Sequence, residues 1–279
     1  MRSTLSTLVL VSAMAASAGA QAFTIDGDLS DWGVQKNVGA VGWNPTAGSD
    51  IQFTVEDQHS SFLNPGYGGQ AYDAEAIYTT IAKDSDNKWK LFVALATGHN
   101  PNTLNKPSAN SYGAGDFAFD FGKDGDFDMG INIKHMTTSG KEAWGDEGGV
   151  YGNAQWAYGL WNASGAHDPS HPDPDHPTYL MDGDYLGLAT LTYTTTGQKG
   201  YGEWANDTHY FYEMSIGLNL LKQAGWDGES AFDIHWTQNC ANDSILVDPP
   251  PAGVPEPATL ALLPLGLAGI AFLRRRQSA

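Results

Sequence analysis

Short runs that alternate apolar and polar side chains dominate this chain, and runs of helical period are scarce. Trp89, Leu91, Val93 and Leu95 alternate with Lys90, Phe92, Ala94 and Ala96, a period of two that turns one set toward a core and leaves a mixed set on the other face. The strand-like run 76–81 precedes it across the turn Asp84-Ser85-Asp86-Asn87, so the two predict a hairpin. A second hairpin follows. Phe117, Phe119 and Phe121 share one face, Gly122-Lys123-Asp124-Gly125 turns the chain, and Phe127, Met129, Ile131 and Ile133 share one face of the returning strand. So many large side chains on one surface need a facing layer, which a second sheet supplies. Further strands are predicted at 185–193, 210–216 and 232–237, with one short helix at 218–224 ended by Gly225. The expected fold is all-β, an antiparallel β-sandwich of jelly-roll-like form with one short helix.

Both ends break this alternation. Residues 1–22 open with Arg2, pass through Leu8, Val9, Leu10 and Val11, and close in small residues, the form of a secretory signal peptide cut after Ala20 or Ala22. At the other end stand Pro255, Glu256 and Pro257, an uncharged apolar run at 258–273, and Arg274, Arg275 and Arg276. The run is short of the roughly 20 residues that cross a hydrocarbon core as a helix. The arginines favour the cytoplasmic side and place everything before the run outside. This order resembles the PEP-CTERM sorting signal of Gram-negative bacteria that make extracellular polymer; an ordinary tail anchor would share its apolar and basic parts. The resemblance implies transient residence in the inner membrane through the C-terminal helix and cleavage near Pro255-Glu256-Pro257 by an exosortase. Delivery to the cell envelope, the surface or the extracellular matrix would follow. Pro249, Pro250 and Pro251 begin a stiff spacer, 249–254, between the body at 23–248 and the signal at 255–279.

The body is roughly 230 residues, enough for one domain with its own core. The 14 basic residues fall to ten lysines once Arg2 and the three terminal arginines are set aside, against 32 acidic residues. Such a body is repelled by nucleic-acid phosphates and anionic lipid, which excludes nucleic acid as a partner, and it admits a divalent cation. Like charge also keeps an exported protein in solution. Cys240 is the single cysteine, so no disulfide forms within the chain, and it reads as a small buried side chain or, failing that, an intermolecular link or a reactive thiol. Phe23-Thr24-Ile25-Asp26-Gly27-Asp28-Leu29-Ser30-Asp31-Trp32 resembles the opening strand and turn of family 9 carbohydrate-binding modules. The runs 73–78, 90–95 and 212–218 resemble their later strands, and 235–243 resembles the closing strand of exosortase-sorted surface proteins. These short matches imply a sandwich more than an activity.

Three groups of residues could carry chemistry. Asp124, Asp126 and Asp128, with Asp116 and Asp120 nearby, could converge on calcium or form a solvated turn; the spacing is not that of an EF-hand. The proline-stiffened segment 167–177 holds His167, His171 and His176 among three aspartates, and is either a transition-metal site or a polar loop. Trp144, Tyr151, Trp156, Tyr158 and Trp161 could stack on sugar rings if exposed, or pack a core if buried. No nucleophile triad, nucleotide loop or zinc-protease motif is present, and Glu142, Asp146 and Glu147 could in principle supply the paired carboxylates of a glycoside hydrolase. The expectation is an exported, non-enzymatic surface protein, either a polysaccharide-binding module or a self-associating structural protein, with a glycoside hydrolase the least favoured reading.

Overall fold

The computed structural model describes residues 23–46, 50–58, 63–133 and 145–249. The signal peptide, most of the proline spacer and the sorting signal lie outside these residues. Among the described residues, five strands form one antiparallel sheet and six form the other. The first sheet runs in the order β1 (Gln52–Val55), β2 (Ala74–Lys83), β3 (Trp89–Thr97), β9 (Tyr210–Gly217) and β8 (Thr190–Tyr193). The second runs β11 (Ser244–Val247), β10 (Phe232–Thr237), β4 (Phe117–Phe121), β5 (Met129–Ile131), β6 (Gly149–Tyr158) and β7 (Pro177–Leu188). Most connections are hairpins within a sheet, and the chain changes sheet after β3, β7 and β9.

Alternation sets the inner faces. Ile77, Leu91, Val93, Leu95, Met214 and Ile216 from the first sheet meet Phe117, Phe119, Met129, Ile131, Ile234 and Trp236 from the second. Burying each large side chain contributes about 1.5–3 kcal/mol. The β2–β3 hairpin forms as the pattern predicts, with Thr79 opposite Val93 and Ile81 opposite Leu91. The short helix α1 spans Leu218–Gln223. It stops where Gly225 takes φ 121, a conformation that costs a side-chain-bearing residue dearly.

Four expectations are corrected. Phe92, Ala94 and Ala96, read as a mixed outer face, are buried beneath a third layer containing Leu29, Trp32 and Trp43. The segment 23–32 supplies part of that layer but joins no ladder, so it is not the opening strand the sequence suggested. It is fixed instead by Glu213 of β9, whose buried carboxylate accepts hydrogen bonds from Trp32 Nε1 (2.8 Å), Gly27 N (2.6 Å) and Asp26 N (3.1 Å). Phe127 lies before β5 and packs on the outside of the second sheet with Trp156 and Leu180, because the turn carries the chain across the sheet until Met129. The run 185–193 is two strands: Tyr185 to Leu188 close β7, and the chain passes to the other sheet at Ala189.

Strands β1, β6, most of β7, and β11 were not predicted. Irregular pairing between Gly152 and Gln155 bends the β6–β7 hairpin. Its outer half lies over the second sheet, with Leu180 and Trp156 against Gly130, where a Cβ would stand 2.7 Å from both side chains.

Candidate functional site

Five loops meet at one end of the sandwich, and one of them, the turn 238–243 between β10 and β11, is bonded to three of the others. Gln238 Nε2 donates to Tyr72 O (2.9 Å), Leu160 N donates to Cys240 O (3.0 Å), and Asn239 N donates to Gly113 O (3.0 Å). Asp243 Oδ2 accepts from Ala74 N (2.6 Å) and Asp243 Oδ1 from Asn64 N (3.3 Å). Cys240 is fully buried in this turn, and burial pushes its thiol up to about 12, as expected of an inert core thiol.

Beneath the loops sit Asp73, Glu75 and Asp243, each at most 1% exposed, with Glu56 alongside. Glu75 Oε1 accepts from Gln70 Nε2 (2.8 Å) and pairs with His209 Nε2 (3.0 Å). Neither Asp73 oxygen receives an N–H or O–H donor, and its carboxyl lies against that of Asp243. Burial first, then the charges of Glu75 and Asp243, raises Asp73 far above the carboxylate range. Burial likewise lifts Glu56 to about 8. A proton shared between Asp73 and Asp243 satisfies both, since Asp243 already has two amide donors that favour its charge.

Two features open to solvent at this end. The first is an aromatic pair: Tyr67 is 56% exposed and half-buried Trp161 lies with its ring centroid 5.7 Å away. Trp161 Nε1 donates to Asn242 Oδ1 (3.0 Å), and its ring lies so close over Gly66 that a Cβ there would stand 2.4 Å from the indole. Only glycine allows that approach. The second is a cleft of about 400 Å³ lined by Gln70, Ala71, Tyr72, Gly98, Asn100, Thr103, Thr208 and Tyr210.

The sequence-predicted residues divide accordingly. Trp161 reaches the surface as part of the aromatic pair. Tyr151 and Trp156 are buried, with Asp146 N donating to Tyr151 Oη (3.1 Å) and Trp156 Nε1 to Phe127 O (3.0 Å), so neither offers a stacking face. Trp144 and Glu142 lie outside the described residues, as do Pro255, Glu256, Pro257, Arg274, Arg275 and Arg276. Asp120, Asp124 and Asp128 accept amide hydrogen bonds within the β4–β5 turn, from Asp124 N and Gly125 N, from Asp126 N, and from Phe121 N respectively. Asp116 is buried and accepts from Ile133 N (2.6 Å) and Leu180 N (2.8 Å), pinning β7 to the second sheet. Among the described residues, no three histidine, cysteine, aspartate or glutamate side chains are arranged to hold a metal ion. In the 167–177 loop His171 pairs with Asp168 at 3.2 Å, while His176 lies 3.9 Å from Asp173 with its ring tilted against that of His235. Glu147 accepts from Tyr193 Oη (2.6 Å).

Tyr67, Tyr72, Tyr210 and Asn100 were missed by sequence reasoning. Each stands alone in a loop or at a strand end, and only the assembly of loops brings them together.

The PEP-CTERM protein-sorting motif family matches residues 253–276, which marks the chain as an exported protein sorted to the cell surface through exosortase processing. No curated protein and no solved structure matches the chain, so the likeness to family 9 carbohydrate-binding modules rests on the short motifs alone. Among the described residues, no helix is long and apolar enough to cross a membrane.

Proposed function

We propose that this exported protein is a non-catalytic polysaccharide-binding module, acting at the cell surface or in the extracellular matrix. The Tyr67–Trp161 pair carries the reading. An indole held by Asn242 and laid over Gly66 next to an exposed phenol is a rigid apolar face beside polar loop groups. Sugar rings stack on such faces through their C–H bonds while their hydroxyls find hydrogen-bond partners. Rigid aromatics lose little conformational entropy on binding, which suits weak, repeated contacts along a polymer.

Affinity gel electrophoresis in extracellular polysaccharide, run with calcium and with chelator, tests this. The native protein should be retarded, and Trp161→Ala should migrate as in a polymer-free gel. Equal retardation of the two proteins would remove the aromatic pair from the argument. No retardation in any extracellular polymer, together with self-association in light scattering, would favour a structural surface protein instead.

A further inference from the structure

The cleft at the same end of the sandwich as the aromatic pair has a lining of its own, and its chemistry is specific. We infer that it is a subsite for one uncharged sugar residue of the bound polymer, an inference that rests on the polysaccharide-binding reading above.

Its volume, about 400 Å³, falls within the range of small-ligand sites. Two phenols (Tyr72, Tyr210), two carboxamides (Gln70, Asn100) and two hydroxyls (Thr103, Thr208) line it, and no lysine, arginine, histidine or carboxylate does. Hydroxyls and carboxamides both donate and accept, as the hydroxyls of a sugar require. An anion would find no countercharge. Behind Gln70 stand instead the buried Glu75 and the Asp73–Asp243 pair, which keeps one negative charge between its two carboxyls, so a uronate or sulfated sugar entering the cleft would meet negative potential.

The walls are held in place. Gln70 Nε2 is fixed by Glu75 Oε1 (2.8 Å) and Thr208 O (3.4 Å), and Asn100 Nδ2 donates to Tyr210 Oη (3.1 Å). Gly98 permits the close approach of the Gln70 backbone, because a Cβ there would stand 1.6 Å from Gln70 O. The cleft and the aromatic pair are also linked. Gln238 holds Tyr72 and Asn242 holds Trp161, and both belong to the turn 238–243. A polymer seated on Trp161 therefore has a second contact on the same end of the sandwich.

The experiment titrates isotope-labelled protein with neutral gluco-, manno- and galacto-hexasaccharides and with hexagalacturonate, following tyrosine-ring and backbone resonances. Ala71→Trp fills the cleft, Asn100→Asp replaces its amide donor with a charge of nearly the same shape, and Trp161→Ala serves as the comparison. A neutral hexasaccharide should shift the Tyr72 and Tyr210 signals, Ala71→Trp and Asn100→Asp should each weaken it at least tenfold, and hexagalacturonate should leave the cleft unmoved. Binding that Trp161→Ala weakens and both cleft variants leave unchanged would overturn the subsite while leaving the aromatic pair intact. Tighter binding of hexagalacturonate in the cleft would overturn its ligand class. Silence with every oligosaccharide, together with free migration in the polymer gels, would overturn both readings.

Discussion

Raising the pH from 7 to 9 should cost this fold about 4 kcal/mol, with Asp73 as the main cause. Asp73 is fully buried, has no N–H donor on either oxygen, and faces Asp243, which burial lifts to about 6 against the pull of its two amide donors and which is therefore the first of the two to ionise. Burial and the neighbouring acids raise Asp73 to about 10, whereas in the unfolded chain it ionises near 4. A carboxyl whose folded pKa is raised stabilises the fold fully below the unfolded value, and that stability is lost as pH rises toward the folded value. Between pH 7 and 9 the folded protein thus binds about one proton more than the unfolded chain, and stability falls by about 1.4 kcal/mol per unit. Glu56, lifted to about 8, loses its proton within the same window; solvent screening holds its share to about 1 kcal/mol. The buried histidines His99 and His235 are held neutral, near 4 and 3, and do not titrate in this range. Native stabilities of domains this size are about 5–15 kcal/mol, so the loss is large enough to read directly. Urea unfolding followed by tryptophan fluorescence at pH 7, 8 and 9 measures it, and Asp73→Asn should remove most of the slope. A stability that is level across the window, or an Asp73→Asn protein with the native slope, would refute the shared proton.

Glu213→Gln should lower stability by about 2 kcal/mol in thermal melts, since one amide oxygen cannot serve both the Trp32 indole and the Gly27 and Asp26 amides; an unchanged melt means the N-terminal layer is held by other contacts. Chelator should leave the melting temperature within about a degree, because the β4–β5 turn carboxylates are already occupied by amides; a larger drop would revive calcium. Deleting Arg274, Arg275 and Arg276 should disturb membrane retention and cleavage near Pro255-Glu256-Pro257, as read by mass spectrometry of the mature C-terminus, and a normal mature product would count against the sorting role of the arginines.

Where one face of a strand is apolar and the turn is short, the fold could be read directly, as in β2–β3 and β4. It could not be read where the rule of one buried face fails. The outer face of β3 looked mixed because Phe92 alternates with alanines, yet those alanines make room for a third layer built from loops that no period encodes. Strands β6 and β7 are rich in glycine because the hairpin bends and packs closely on Gly130, so composition pointed to loop. Trp161 and Trp156 lie five residues apart and look alike in the sequence. Burial separates them: Trp156 packs on Gly130 of the second sheet, and Trp161 lies in the loop over Gly66. Asp73 gave no signal at all, because only the Asp243 turn, far along the chain, makes its carboxyl unusual.

Strand β11 leaves the loop end at Ser244 and runs along β10 to Val247, beyond which Lys123 Nζ from the β4–β5 turn donates to Asp248 at 2.6 Å and to Asp233 at 2.7 Å. The described residues therefore end, at residue 249, at the pole opposite the tyrosines and Trp161. If the tail fixes the molecule to the envelope and the loop end binds polymer as proposed, molecules crowded side by side would stand like bristles with their tips in the surrounding gel, and their spacing would set how many strands one patch of envelope can grip.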